Sequence, residues 1–123
     1  MSQEIAKTSA RINPHGLGIV WLDTFEVTYH NSAEYKLLDT DRPFIAHFRY
    51  ATVGAIGRQN THPSQCGNNK NEYLMMNGTI KGLGNMKQSD SKVLAEKLGV
   101  IPRTQWKSEL AQYDCRFTTI NVQ

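Results

Sequence analysis

Phe44-Ile45-Ala46-His47-Phe48-Arg49-Tyr50 is the stretch whose reading decides the fold. Pro43 opens it, and His47 is the one polar residue among its first five. Such a near-continuous apolar run reads as a strand covered on both faces, so a central strand is expected here. After it, from Ala51 to Asn71, the chain carries Gly54, Gly57, Pro63, Gly67 and several asparagines. An irregular segment of that length in a compact domain is usually functional. Upstream, Gly18 to Leu22 and Phe25 to Tyr29 are apolar and β-branched around Asp23-Thr24, a hairpin pattern. Ser2 to Ile12 places Ile5, Thr8/Ser9 and Ile12 at helical spacing before Pro14 and Gly16 stop it. Ser32 to Asp41 is polar and fits no single element. Downstream, Glu72 to Met76 and Thr79 to Lys81 read as two arms around Asn77-Gly78. Ser89 is a candidate N-cap for a helix running to Leu98 and ended by Gly99. That helix is expected to pack on the Phe44 to Tyr50 strand. A second helix is expected over Thr104 to Tyr113, and Arg116 to Val122 returns as a strand. The order predicts an α+β protein with a mixed, mostly antiparallel sheet.

The bulk properties exclude several classes of function. With 123 residues the chain makes one domain, 1–123, without repeat or linker. Its net charge of +3 is slight, and no basic stripe with interleaved aromatics marks a nucleic-acid partner. No apolar run approaches the roughly 20 residues of a membrane span. Glu4 stands where a signal peptide would have its apolar region, so a cytoplasmic protein is expected. Cys66 and Cys115 read as reduced thiols, with a disulfide between them as the alternative. His47, His62 and Cys66 lack the paired close spacings of a zinc site, and neither metal nor cofactor is expected.

Three features carry chemistry, and each has an ordinary reading taken alone. Arg49 offers a guanidinium fork that matches a carboxylate bidentately, or it simply pairs with a nearby acid at a strand end. Asn77-Gly78 is a tight-turn signal, because both residues accept positive φ. Asp90 beside Ser89 complements a helix dipole. The order changes their weight. His47-Phe48-Arg49-Tyr50-Ala51-Thr52-Val53-Gly54, Asn60-Thr61-His62-Pro63, Asn77-Gly78 and Ser89-Asp90 follow one another between Ile45 and Asp90. In that order they resemble the glutamine pocket of class II glutamine amidotransferases, which are N-terminal-nucleophile (Ntn) hydrolases. Asn13-Pro14-His15-Gly16-Leu17-Gly18 resembles the family's early Asn-x-Asp-Gly-x-Gly turn, with His15 in the acid's place. Met76 stands where family members commonly have histidine.

The resemblance implies a partial Ntn-hydrolase αββα sandwich and a ligand that is glutamine or a similar amino acid. It implies that Arg49 binds the ligand carboxylate, with Tyr50, Thr52 and Gly54 in the segment that closes over it. Asp90 would hold the α-ammonium. The side-chain amide of Asn77 and the backbone N–H of Gly78 would form the oxyanion hole, two donors worth roughly 10²–10³ in rate apiece. Asn60 and His62-Pro63 would support the pocket. The family places its nucleophilic cysteine after the initiator methionine, on a first strand; here Met1-Ser2-Gln3-Glu4 leads into what would be the family's first helix. The expectation is a truncated domain that keeps the pocket without the nucleophile, a binding or regulatory pseudoenzyme. Two alternatives stand beside it. One is an active glutaminase, its start missing, its first strand lent by another chain, or Ser2 its nucleophile. The other is a scaffold acting as a protein-binding inhibitor or adaptor. An open sheet edge would favour a protein partner or a homodimer.

Overall fold

The computed structural model describes residues 1–123. Its centre is β1 (Leu17–Trp21), buried along its whole length. β1 pairs antiparallel with β2 (Glu26–His30) on one side and with β3 (Phe44–Phe48) on the other. The apolar run of residues 44–50 is therefore an edge strand, half-buried throughout, and not the central strand its composition suggests. An apolar run reports that two faces are covered; it carries no information about a strand's edges.

The phase of the β1–β3 ladder has a consequence for that edge. The bonds that flank it, Arg49 N–H to the Gly16 carbonyl and Leu22 N–H to the Pro43 carbonyl, fix which residues exchange hydrogen bonds. By the alternation of an antiparallel ladder, Phe44, Ala46 and Phe48 then turn their N–H and C=O groups away from β1. Those three residues present unpaired backbone groups along the open edge.

A second sheet has the order β4 (Ser64–Cys66), β5 (Asn69–Asn77), β6 (Arg116–Asn121), again antiparallel throughout. Neither sheet is mixed. Thr79 to Lys81 does not form a return arm after Asn77-Gly78, because the Ile80 N–H is taken by the Asp90 carboxylate at 2.7 Å instead of by a strand.

Side-chain alternation stacks the layers. Leu17, Ile19 and Trp21 point to one side of β1, where they meet Ala6 of α1 (Gln3–Ile12) and Leu38 of the short helical turn Ser32–Leu38. Only the small residues Ala6 and Ala10 of α1 are buried, which lets the helix lie close to the sheet. Val20 points the other way and packs with Met75 and Ile120 of the second sheet. At Gly18 the two layers touch backbone to backbone, with the His62 carbonyl oxygen standing where a Cβ would be. The far side of the second sheet, Leu74 and Met76, packs on Leu94, Ala95 and Leu98 of α2 (Asp90–Leu98) and on Trp106. The molecule is thus a helix–sheet–sheet–helix stack, and α2 packs on β4 and β5 rather than on β3. The Ser89 hydroxyl caps α2 by accepting the Lys92 N–H at 3.1 Å. α3 (Trp106–Leu110) is shorter than expected, and is held to α2 by the Trp106 indole N–H on the Leu98 carbonyl at 2.9 Å. Cys66 and Cys115 are free thiols. No helix is long and apolar enough to cross a membrane.

Candidate functional site

Two stacked imidazoles floor a cavity between the sheets and the start of α2. The His47 and His62 rings lie 4.1 Å apart and within 5° of parallel. His62 Nδ1 accepts the Met76 N–H at 3.1 Å, which leaves its Nε2 to donate to the Ser91 hydroxyl at 2.8 Å. His47 Nε2 donates to the Met76 carbonyl at 3.2 Å. Residue 76 is held at its N–H by one ring and at its C=O by the other, so the next two residues, Asn77-Gly78, inherit a fixed position. Burial pushes both imidazoles toward the neutral form, His62 well below its ordinary range, and the nearby Arg49 charge acts in the same direction. His47 Nδ1 is shielded and has no hydrogen-bond partner.

Arg49 follows β3 directly and is 3% exposed. Its own backbone is locked to the early turn, N–H to Gly16 O at 2.8 Å and C=O from His15 N–H at 2.9 Å. Its guanidinium donates to the carbonyls of Ala55 and Val53, each at 2.9 Å, and so draws the following loop around itself. Desolvation lowers the Arg49 pKa and the Asp90 charge opposes that fall; the guanidinium stays protonated at neutral pH. Two of its five N–H donors serve the loop, leaving the others for a ligand.

Asp90 opens α2 and is 5% exposed. One carboxylate oxygen accepts the Ile80 N–H at 2.7 Å and the other the Ser91 N–H at 2.8 Å. Arg49 and Asp90 line the same cavity without forming an ion pair with each other. A buried cation and a buried anion held apart by backbone bonds present the charge pattern that a zwitterion matches.

The remaining predicted residues divide. Asn77 and Gly78 line the cavity, Gly78 at φ +124° with the Cys115 thiol packed behind it. Thr52 lines it and its hydroxyl meets that of Thr79 at 2.8 Å, a bridge from the arginine loop to the turn. Tyr50 lines the mouth, 60% exposed, its ring 5.3 Å from that of His15. Gly54 does not line the cavity; it lies against the backbone of Ser89, where any side chain would collide. Its part is to let the loop close on the start of α2.

Asn60 is the tie among these segments. Fully buried, it donates to the carbonyls of Ala55 at 2.9 Å and Lys87 at 2.7 Å, and accepts the Ser89 N–H at 2.9 Å. His15 ties the early turn to the arginine loop: its Nδ1 accepts the Ala51 N–H at 2.8 Å. His62 is expected from the sequence as a support of the pocket. Its stacking on His47, and the parts of Ser91 and Thr79, are what pattern reading missed, because they rest on contacts between segments remote in sequence.

The cavity holds about 260 Å³, just below the range of drug-sized pockets and suited to a molecule of amino-acid size. Neither cysteine lines it, nor does Ser2, which precedes α1 where the terminal ammonium donates to the Leu38 carbonyl at 3.3 Å. Burial first, then the Asp90 and Asp114 charges, raise the Cys115 thiol pKa and keep it protonated. No three His, Cys, Asp or Glu side chains are grouped to hold a metal ion. No protein-family model matches the chain, and no curated protein matches it.

Proposed function

We propose that the chain is a domain of the class II glutamine amidotransferase type, an Ntn-hydrolase αββα sandwich whose pocket binds glutamine or a similar α-amino acid. The observation that carries this reading is the convergence of Arg49, Asp90 and the Asn77-Gly78 turn on one small cavity. Arg49 takes the α-carboxylate through its free N–H groups, and Asp90 takes the α-ammonium. The side-chain amide then points toward Asn77 and the Gly78 N–H, where two donors would polarise its carbonyl. Among the cavity's own residues no hydroxyl or thiol sits beside a free amine, and Ser89 is committed to capping α2. The residues present bind and polarise an amide; they do not attack it. The chain therefore acts as a binding or regulatory module.

A specific observation favours a second reading, a working glutaminase. Phe44, Ala46 and Phe48 leave backbone groups open on the edge that runs straight into Arg49. A strand added there would bring its own residues to the cavity, and with them a nucleophile. Calorimetry with L-glutamine, its α-methyl ester and glutaramate (which lacks the α-ammonium) tests the pocket without altering the protein. Loss of either charged contact should weaken binding by roughly tenfold or more. Equal affinity for all three, or no heat with glutamine, would leave a protein-binding scaffold as the better account. Ammonia release once a strand occupies the open β3 edge would favour the glutaminase.

A further inference from the structure

A second concavity, about 570 Å³, opens between β2, the turn before β4 and the outer side of α2, and shares no lining residue with the first. The Tyr29 hydroxyl donates to the Pro63 carbonyl at 2.6 Å and forms one wall. Burial raises this phenol to about 12, so it stays a neutral donor. The Arg58 guanidinium carbon stands 5.2 Å over the Tyr29 ring, a cation–π arrangement that holds the side chain at the rim. Opposite, Lys92 reaches from α2 to the Gln59 carbonyl at 3.2 Å. None of the chain's ion pairs involves either cation. Ser64 lines the same space; it is 6% exposed, and its shielded hydroxyl has no hydrogen-bond partner. Glu96, exposed one helical turn from Lys92, is the cavity's only acid.

We propose that this cavity is a second ligand site that takes a phosphomonoester, its phosphate held between the Arg58 guanidinium and the Lys92 ammonium. A tetrahedral dianion needs several donors from different directions, and a guanidinium fork with an ammonium across from it supplies them. The space exceeds a phosphate ion severalfold, which leaves room for an esterified group beside Gln59 and Gln65. Glu96 sets the selectivity: with one carboxylate lining the cavity beside two cations, a doubly charged ligand is held where a singly charged one is held weakly.

The site stands apart from the amino-acid pocket, and neither depends on the other. The test titrates inorganic phosphate, ribose 5-phosphate and AMP into the full chain, followed by backbone amide shifts of Gln65 and Gly67. Saturable binding of the two esters in the millimolar range or tighter is expected, weakened at least roughly tenfold in R58Q/K92Q. E96Q should tighten it roughly two- to threefold by removing the opposing charge. Unfolding curves establish that both variants are folded. AMP binding more tightly than ribose 5-phosphate would assign a nucleotide; equal affinities would assign a sugar phosphate. The proposal is overturned if no ester saturates, if inorganic phosphate alone binds, or if R58Q/K92Q binds as well as the parent chain.

Discussion

The two cavities stand on opposite sides of one piece of chain, residues 58–65, yet they hold their charges in opposite ways. In the first, both charged side chains are more than nine-tenths buried and tied to backbone: Arg49 to two loop carbonyls, Asp90 to two amides. In the second, Arg58 is exposed and Lys92 half-buried, and one bond to a carbonyl and one aromatic face are their anchors. The first arrangement is rigid before any ligand arrives, so ordering cost is small and geometry is selective. The second leaves long side chains free to adapt, which gives attraction with less discrimination. Stability and recognition are fused in the first cavity and separable in the second.

Substitution should expose that difference. Arg49→Ala is expected to have the largest effect, because it removes the ligand's cation and leaves buried carbonyls and the Asp90 carboxylate uncompensated. Glutamine affinity should fall at least roughly 100-fold and stability by about 4 kcal/mol, read by calorimetry and urea unfolding. A well-folded, fully stable Arg49→Ala would break the claim that binding and folding share this residue. Next comes Asn60→Ala, which touches no ligand but unties three segments; a loss of about 3 kcal/mol is expected in the same unfolding experiment. A cost below about 1 kcal/mol would mean that the loops are held by other contacts.

Acidity gives a third, smaller effect. His62 and His47 are held neutral in the fold, with pKa values below the unfolded 6.5. Between the folded pKa and 6.5 the unfolded chain binds more protons, so stability is full above that range and is lost as pH falls through it. The slope should not exceed about 1.4 kcal/mol per pH unit for each ring. Urea midpoints from pH 8 to pH 5 measure it, and His62→Gln should flatten the curve. An unchanged slope in that variant would place the titration elsewhere. Least of all, Arg58→Gln and Lys92→Gln should each leave stability within about 0.5 kcal/mol of the parent. A larger loss at either would bring the second cavity closer in kind to the first.

What the sequence made legible follows from what each signal physically reports. Ser89 and Gly99 bracket α2 as expected, because capping is a local hydrogen-bonding matter that four or five residues decide. Arg49, Asp90 and Asn77-Gly78 were readable as a set only through their order, since each is an ordinary strand-end, cap or turn residue by itself. The position of β3 in its sheet is not legible, because an apolar run reports covered faces and leaves the strand's edges unmarked. The layer on which α2 packs was invisible for a related reason: an amphipathic helix states that one side is buried and says nothing of the sheet that buries it. Gly54, expected in the segment that closes over the ligand, instead has a supporting part through its closeness to Ser89, a contact across thirty-five positions of sequence. The clamp on Met76 could not be read at all, because its groups are backbone N–H and C=O, which every residue carries.

The open edge of β3 also sets a rhythm in time. Ile45 and His47 send their amides into the ladder with β1, while those of Phe44, Ala46 and Phe48 face outward. Deuterium should therefore enter this strand at every second residue, quickly at three positions and slowly at the two between them. Anything that docks along the edge would silence those three amides together and leave the other two as they were. Three alternating signals thus serve as a built-in recorder of whether the strand is alone.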